Sequence, residues 1–245
     1  MLWEVDKFTM LDFTLNDNPN LTKLLIGKEN LPLLIVDGFA NRPDDLISFA
    51  GDGSSFIADQ QNFYPGKRSL APKTYSEELC KKYLPLFKSY FGFDKAFSAK
   101  TLMSAFAISD RAPEQLKPIQ MLPHFDTANI NQLAVVHYLC EPKHGGTSFY
   151  QHRASGFETI TQKRLAGYGH QLKKEAITNQ LHKSPCYMSD SNMLFEKFYS
   201  VAACMNRAVI YPSRILHSGN INPLLGLSSD PKIGRLTIGS FICVE

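Results

Sequence analysis

From residue 101 to residue 244 the chain is dominated by six short runs: TLMSAFAISD, QLAVVHYLC, GTSFYQH, FYSVAA, RAVIYPS and GRLTIGSFICV. Each is rich in β-branched or aromatic residues and is bounded by Gly, Pro, Asn or Asp. Such runs predict short strands. Met205–Asn206 reads as the turn of a hairpin joining FYSVAAC to RAVIYP. Only residues 159–183 break the texture: they are polar, partly helical in pattern, and interrupted by Gly167 and Gly169. They are expected as an insertion outside the β core and a candidate lid.

The first hundred residues read differently. LPLLIVDGFANRPDDLISFA (31–50) predicts a buried strand, a turn and a helix, with Pro43 suited to the first helical turn. TYSEELCKKYLPLFKSYF predicts a second helix. Leu79, Tyr83, Phe87 and Tyr90 recur at helical intervals, and Thr74 and Glu77 have capping-box spacing. Pro85 should kink that helix or mark its end. FYPGKRS (63–69) between them predicts a turn. Two early helices followed by many short strands give a mainly β fold with flanking helices (α+β), helices packed on a sandwich or barrel. The expectation is a single domain over 1–245, with residues 1–100 as support and 101–245 as core.

Composition removes several function classes. A net charge of +3 with no Lys/Arg block longer than three residues gives no basic face for nucleic acid. No apolar window approaches a membrane span, and acidic residues interrupt the N-terminal MLWEVDKFTMLDFTLND where a secretory leader needs an apolar run. Five widely spaced cysteines without a CxxC fit reduced thiols in the cytoplasm, not a disulfide framework. Oligomeric state has no signature here.

The chemistry concentrates in PHFD and beyond. In an extended segment, residues i and i+2 face the same side, so His124 and Asp126 can present an imidazole and a carboxylate to one ion while Phe125 turns away. Alone the pair means little, because seven His and thirteen Asp yield about 0.4 such pairs by chance. RAVIYPSRILHSGN then breaks at Pro212 and delivers His217 in a Ser/Gly/Asn turn. In GRLTIGSFICV, Arg235 and Thr237 share a face. Two histidines and a carboxylate form the facial set that holds non-haem Fe(II) with coordination positions open. A chelating 2-oxo acid and dioxygen would fill those positions, and the far carboxylate of the acid needs a fixed cation such as Arg235. His137 reads as a packed or surface histidine, and His144, before Gly145–Gly146, as a solvated one.

This ordered set resembles the 2-oxoglutarate/Fe(II)-dependent dioxygenases, and within them the prolyl-4-hydroxylase-like branch. VDGFANRPDDL, FYPGKR, PHFD, VVHYL, GGTSFYQHRASGFE, NRAVIYPSRILHSG and GRLTIGSF carry the resemblance over most of residues 33–243. It implies a double-stranded β-helix (jelly-roll, cupin-like) core, with His124, Asp126 and His217 on iron. Arg235 and Thr237 would hold 2-oxoglutarate, and dioxygen would be consumed with release of succinate and carbon dioxide. Asp126 implies hydroxylation, since related halogenases carry Ala or Gly at that ligand. Prolyl hydroxylases usually have Tyr three residues before the first ligand, where this chain has Met121; Tyr138 is the candidate cosubstrate contact in its place. Arg235 lies 18 positions beyond His217, so INPLLGLSSDPKI is expected to loop out, with Arg214 as the substitute clamp. His152, Arg153, Tyr64 and Arg68 are candidate contacts to a small-molecule or peptidyl substrate. Two other readings use the same residues: a zinc-dependent hydrolase, and a non-catalytic jelly-roll binding or sensor module.

Overall fold

The computed structural model describes residues 11–52, 54–58 and 64–245. The first ten residues of the N-terminal segment that argues against a secretory leader, and Phe63 of FYPGKRS, lie outside them. Two antiparallel sheets form the fold. The larger has the order β1-β2-β8-β5-β10-β4-β3: β1 (Asn20–Ile26), β2 (Leu31–Asp37), β8 (Arg207–Pro212), β5 (Gln132–Tyr138), β10 (Leu236–Val244), β4 (Ala99–Ser109) and β3 (Gly66–Leu70). The smaller has the order β7-β6-β9: β7 (Phe195–Val201), β6 (Thr147–His152) and β9 (His217–Gly219). Three strands of the large sheet come from residues before 100, so the expected support and core share one sheet. No helix among the described residues is long and apolar enough to cross a membrane.

The unbroken apolar run LPLLIV is explained by burial on both faces. Leu34 and Val36 join the cluster under the helices, while Leu31 and Leu33 join the cluster between the sheets. β5 divides the same way: Leu133 and Val135 face the helices, and Ala134 and Tyr138 face Phe149 of the small sheet. Helices α1 (Pro43–Asp52) and α2 (Lys73–Phe91) cover the outer face of the large sheet through Leu46, Tyr75, Leu79, Tyr83 and Phe87. Thr74 lies inside α2, whose N-cap is Pro72 with no side-chain cap, so the capping box does not form. Pro85 neither ends the helix nor is buried in it. It sits on the solvent face, where the carbonyl it leaves without a partner can be hydrated.

Three further expectations change. Met205–Asn206 is a turn, but β7 and β8 lie in different sheets, so it is a crossing between sheets and not a hairpin. Asn206 takes φ 61°, and its side-chain amide is anchored to both backbone groups of Ala40. The KRS of FYPGKRS forms β3, paired with β4. Residues 162–178 form one continuous helix, α3 (Gln162–Thr178). Its glycines face open space, and Tyr168, Leu165 and Leu172 dock it against Tyr150, Phe195 and Leu216 of the small-sheet side.

His137 is wholly buried in the helix-facing core. Asn206 Oδ1 accepts from its Nε2 (3.1 Å), which leaves Nδ1 to accept from the Tyr75 hydroxyl (3.1 Å). Burial holds this imidazole down to about 4, with the Asn206 bond opposing. The unfolded chain therefore takes up a proton near pH 6.5 that the folded one refuses. Stability from this group is complete above pH 6.5 and is lost as the pH falls through about 4. Urea unfolding should lose about 3 kcal/mol across that window from this residue, and His137→Gln should flatten the dependence.

Candidate metal centre

Pro212 ends β8, and the chain turns at once, with Ile215 N–H bonded to the Pro212 carbonyl (3.0 Å). That turn carries the strand from the large sheet to the small one and begins β9 at His217. The loop bearing His124 is tied to it: His124 and His217 exchange both backbone hydrogen bonds at 2.8 Å, and Asp126 N–H donates to the Ser213 carbonyl at 2.8 Å. Both ligand-bearing segments are thus fixed by backbone bonds between the mouths of the two sheets.

The three side chains converge. One ligand atom from each of His124, Asp126 and His217 lies within 4.8 Å of the others. His124 Nε2 stands 4.0 Å from Asp126 Oδ1, and His217 Nε2 stands 3.9 Å from Asp126 Oδ2. These gaps are too long for hydrogen bonds. His217 Nδ1 donates to the Ile215 carbonyl (2.9 Å), which leaves the Nε2 lone pair facing the carboxylate. Asp126 Oδ2 is buried with no hydrogen-bond partner among the described residues. Burial raises the Asp126 carboxyl above its usual range, with His217 and then Arg68 pulling it down. Burial, followed by the charges of His217 and Arg68, holds the His124 imidazole well below its own. Yet 51% of the His124 side chain is accessible. A residue deep among protein atoms but reachable by solvent lines a pocket. The donor set of two imidazole nitrogens and an orphaned carboxylate oxygen fits a divalent cation.

Arg235 is 4% exposed. Its Nη2 donates to the Gly146 carbonyl (2.9 Å), its Nε has no partner, and no carboxylate pairs with it among the described residues. Arg235 also lies against β9: a Cβ at Gly219 would stand 3.5 Å from its Nη2. The Tyr138 ring lies 5.9 Å from the Arg235 guanidinium, and the Tyr138 hydroxyl donates to Thr147 Oγ1 at 2.6 Å. Thr237 is the direct cross-strand partner of Tyr138. Its hydroxyl reaches only the Ala107 carbonyl, at 3.5 Å.

Tyr211 packs against the triad, and sequence reasoning missed it. Its ring packs 4.9 Å from that of His217. Burial first, then the charges of Asp126 and Tyr138, push its phenol well above the ordinary range, while Arg235 pulls the other way. The signal was present only as the inward alternation of RAVIYP, which any packed strand shows.

The excursion between His217 and Arg235 folds back as a loop. Arg235 N–H bonds to the Gly226 carbonyl (3.3 Å), and His144 Nδ1 contacts the Leu225 carbonyl at 2.8 Å. His144 is consequently buried, not solvated. Burial lowers the Arg214 guanidinium, with the Glu29 charge opposing.

His152 is not at a pocket mouth. It is wholly buried, bonded to Ser155 Oγ (2.8 Å) and Glu175 Oε2 (2.7 Å), and packed on Tyr168 and Phe195. Arg153 is held on the surface by the Asn192 carbonyl and Glu196. Tyr64 and Arg68 pack on each other at the edge of the large sheet. The Arg68 guanidinium lies 4.7 Å above the Tyr64 ring, and its charge reaches both His124 and Asp126.

A family model, described as a family of unknown function (DUF6445), matches residues 17–242. The chain belongs to DUF6445. Among solved structures, this DUF6445 chain is similar to HygX from Streptomyces hygroscopicus, seen with nickel and 2-oxoglutarate bound and also with hygromycin B. The match has 9% identity over 88% of this chain and 84% of that one, with a TM-score of 0.49. AviO1 from Streptomyces viridochromogenes Tue57 matches at 12% identity over 85% and 89%, with a TM-score of 0.41. No curated protein matches.

Proposed function

We propose that the protein is an Fe(II)- and 2-oxoglutarate-dependent dioxygenase on a double-stranded β-helix of the prolyl-4-hydroxylase-like kind, hydroxylating a small-molecule or peptidyl substrate. The observation that carries the reading is Arg235: a buried guanidinium without an acidic partner among the described residues, set against Gly219 two residues beyond His217, beside a His–Asp–His cluster whose buried carboxylate oxygen has no partner among them either. An unpaired buried charge is costly unless a ligand completes it. A divalent cation would give the Asp126 carboxylate a counter-charge, and a carboxylate of the dianionic acid would give one to Arg235, so each buried charge gains a partner of its own. A zinc hydrolase would explain the triad and leave the cation without a purpose.

His124, Asp126 and His217 would hold the metal. Bound there with its cosubstrate and dioxygen, iron supplies the oxidising power for C–H hydroxylation, coupled to conversion of 2-oxoglutarate into succinate and carbon dioxide. The protein supplies position and environment. Ile215 fixes the His217 tautomer through its carbonyl. Asp126 occupies a ligand position that a halide would otherwise need, which favours hydroxylation. Arg235 offers a planar fork to the far carboxylate of the cosubstrate, and Thr237 and Tyr138 flank it. Tyr211 and Phe149, both buried and packed edge to face, would keep the side of His217 dry. All five cysteines are free, which supports a reducing, cytoplasmic setting.

The test is anaerobic titration of the Fe(II) protein with 2-oxoglutarate. A weak visible metal-to-ligand charge-transfer band should develop with the cosubstrate and not with succinate. Bound iron that gives no band overturns the reading.

A further inference from the structure

With Asp126 and Arg235 satisfied by metal and cosubstrate, Arg68 is left as an unmatched cation among the described residues. Arg68 is half-buried on β3 and makes no hydrogen bond or ion pair through its side chain among the described residues. Its neighbour Lys67 takes the nearby carboxylate, Asp110, at 2.8 Å. Tyr64 lies against the guanidinium, and its hydroxyl is tied to Ser109 Oγ at 3.0 Å. A stacked guanidinium loses little further freedom on binding and keeps its N–H edge available.

Register fixes the direction in which it points. Arg68 pairs with Ala107, Ala107 with Thr237, and Thr237 with Tyr138. Directly paired residues share a face of the sheet, so Arg68 shares its face with the two residues beside Arg235. The floor between them is bare: Ala107 and Ala105 carry only methyl groups, and a Cβ at Gly239 would meet nothing within 4 Å. The reach of the Arg68 charge to His124 and Asp126 agrees with that placement.

We propose that Arg68 is the substrate-binding cation, and that the molecule oxidised carries an oxyanion, a carboxylate or a phosphate, seated on the Arg68 guanidinium beside Tyr64. This rests on the dioxygenase reading for the identity of the bound anion as substrate, but the anion site itself can be tested without metal. The probes are trifluoroacetate and monofluorophosphate, followed by fluorine NMR line broadening on metal-free protein at pH 8. Wild type should broaden at least one probe, and which one it broadens assigns the oxyanion. Arg68→Gln should reduce the broadening at least fivefold at an unchanged melting temperature. Arg68→Lys should restore part of it, and Arg235→Gln should leave the Arg68-dependent part in place. No broadening in wild type, or equal broadening in Arg68→Gln, overturns the proposal. A charge-transfer band without Arg68-dependent broadening removes the substrate assignment alone. Broadening without a band removes the cofactor assignment and keeps an anion site.

Discussion

Arg235→Gln should make the metal-free protein more stable while abolishing its response to 2-oxoglutarate. In the metal-free state the guanidinium is buried, holds one carbonyl and leaves its Nε unsatisfied. Desolvating such a charge without a counter-ion costs several kcal/mol, of which a single carbonyl bond returns only part. Glutamine carries no charge; its amide nitrogen ends where Nε does, two bonds short of Nη2, so it gives up the Gly146 bond at about 1 kcal/mol, and the variant should still gain about 1–3 kcal/mol net. At roughly 2–4 °C per kcal/mol for a chain of this length, the gain is visible in a thermal melt. The ligand response runs the other way. Wild type holding metal should gain about 2.7 kcal/mol from 2-oxoglutarate at a hundredfold excess over its dissociation constant, and the variant should gain nothing measurable. A variant that melts lower than wild type and is still stabilised by 2-oxoglutarate would make Arg235 a structural residue and remove the clamp.

The parts of the site that were legible in sequence are those set by local rules. His124 and Asp126 face one way because an extended backbone repeats every two residues, and Arg235 stood out as a charge entering an apolar strand. What could not be read depends on partners far along the chain. His152 looks like a residue just past a strand until α3 brings Glu175 and Tyr168 over it. His144 reads as solvated until the loop after His217 lays the Leu225 carbonyl on it. Met205–Asn206 has real turn chemistry, but a turn does not specify whether the next strand returns to the same sheet. β1, NLTKLLI, escaped notice because it is an edge strand with mostly exposed side chains, so it lacks the apolar alternation that marks a packed one. Tyr211 illustrates the same limit at the site. Its place comes from having His217 and Phe149 against one ring, and those residues lie on two other strands.

Asp126→Asn should separate what the fold wants from what the metal wants. Burial raises this carboxyl in the folded protein. The folded state therefore holds its proton more tightly than the unfolded chain does. Stability from the group is complete below the unfolded value and is lost as the pH rises through the folded one. Metal-free Asp126→Asn, whose amide never ionises, should be at least as stable as wild type at pH 8. Its advantage should vanish at acidic pH, where the wild-type carboxyl is protonated. Adding Fe(II), or Co(II) as a spectroscopic substitute, reverses the order, because a cation is held by the carboxylate and not by the acid. Wild-type affinity should rise with pH through the Asp126 range as binding displaces the proton. The Asn variant should bind more weakly than wild type by over the roughly 10–100-fold that loss of a merely supporting group costs. His217→Ala should lose metal to a similar degree, with no compensating gain in stability, since it also deletes the ring packed on Tyr211 and His124. Equal metal affinity in wild type and Asp126→Asn would mean that the three side chains converge without forming a metal site, and the oxygenase assignment would fall with it.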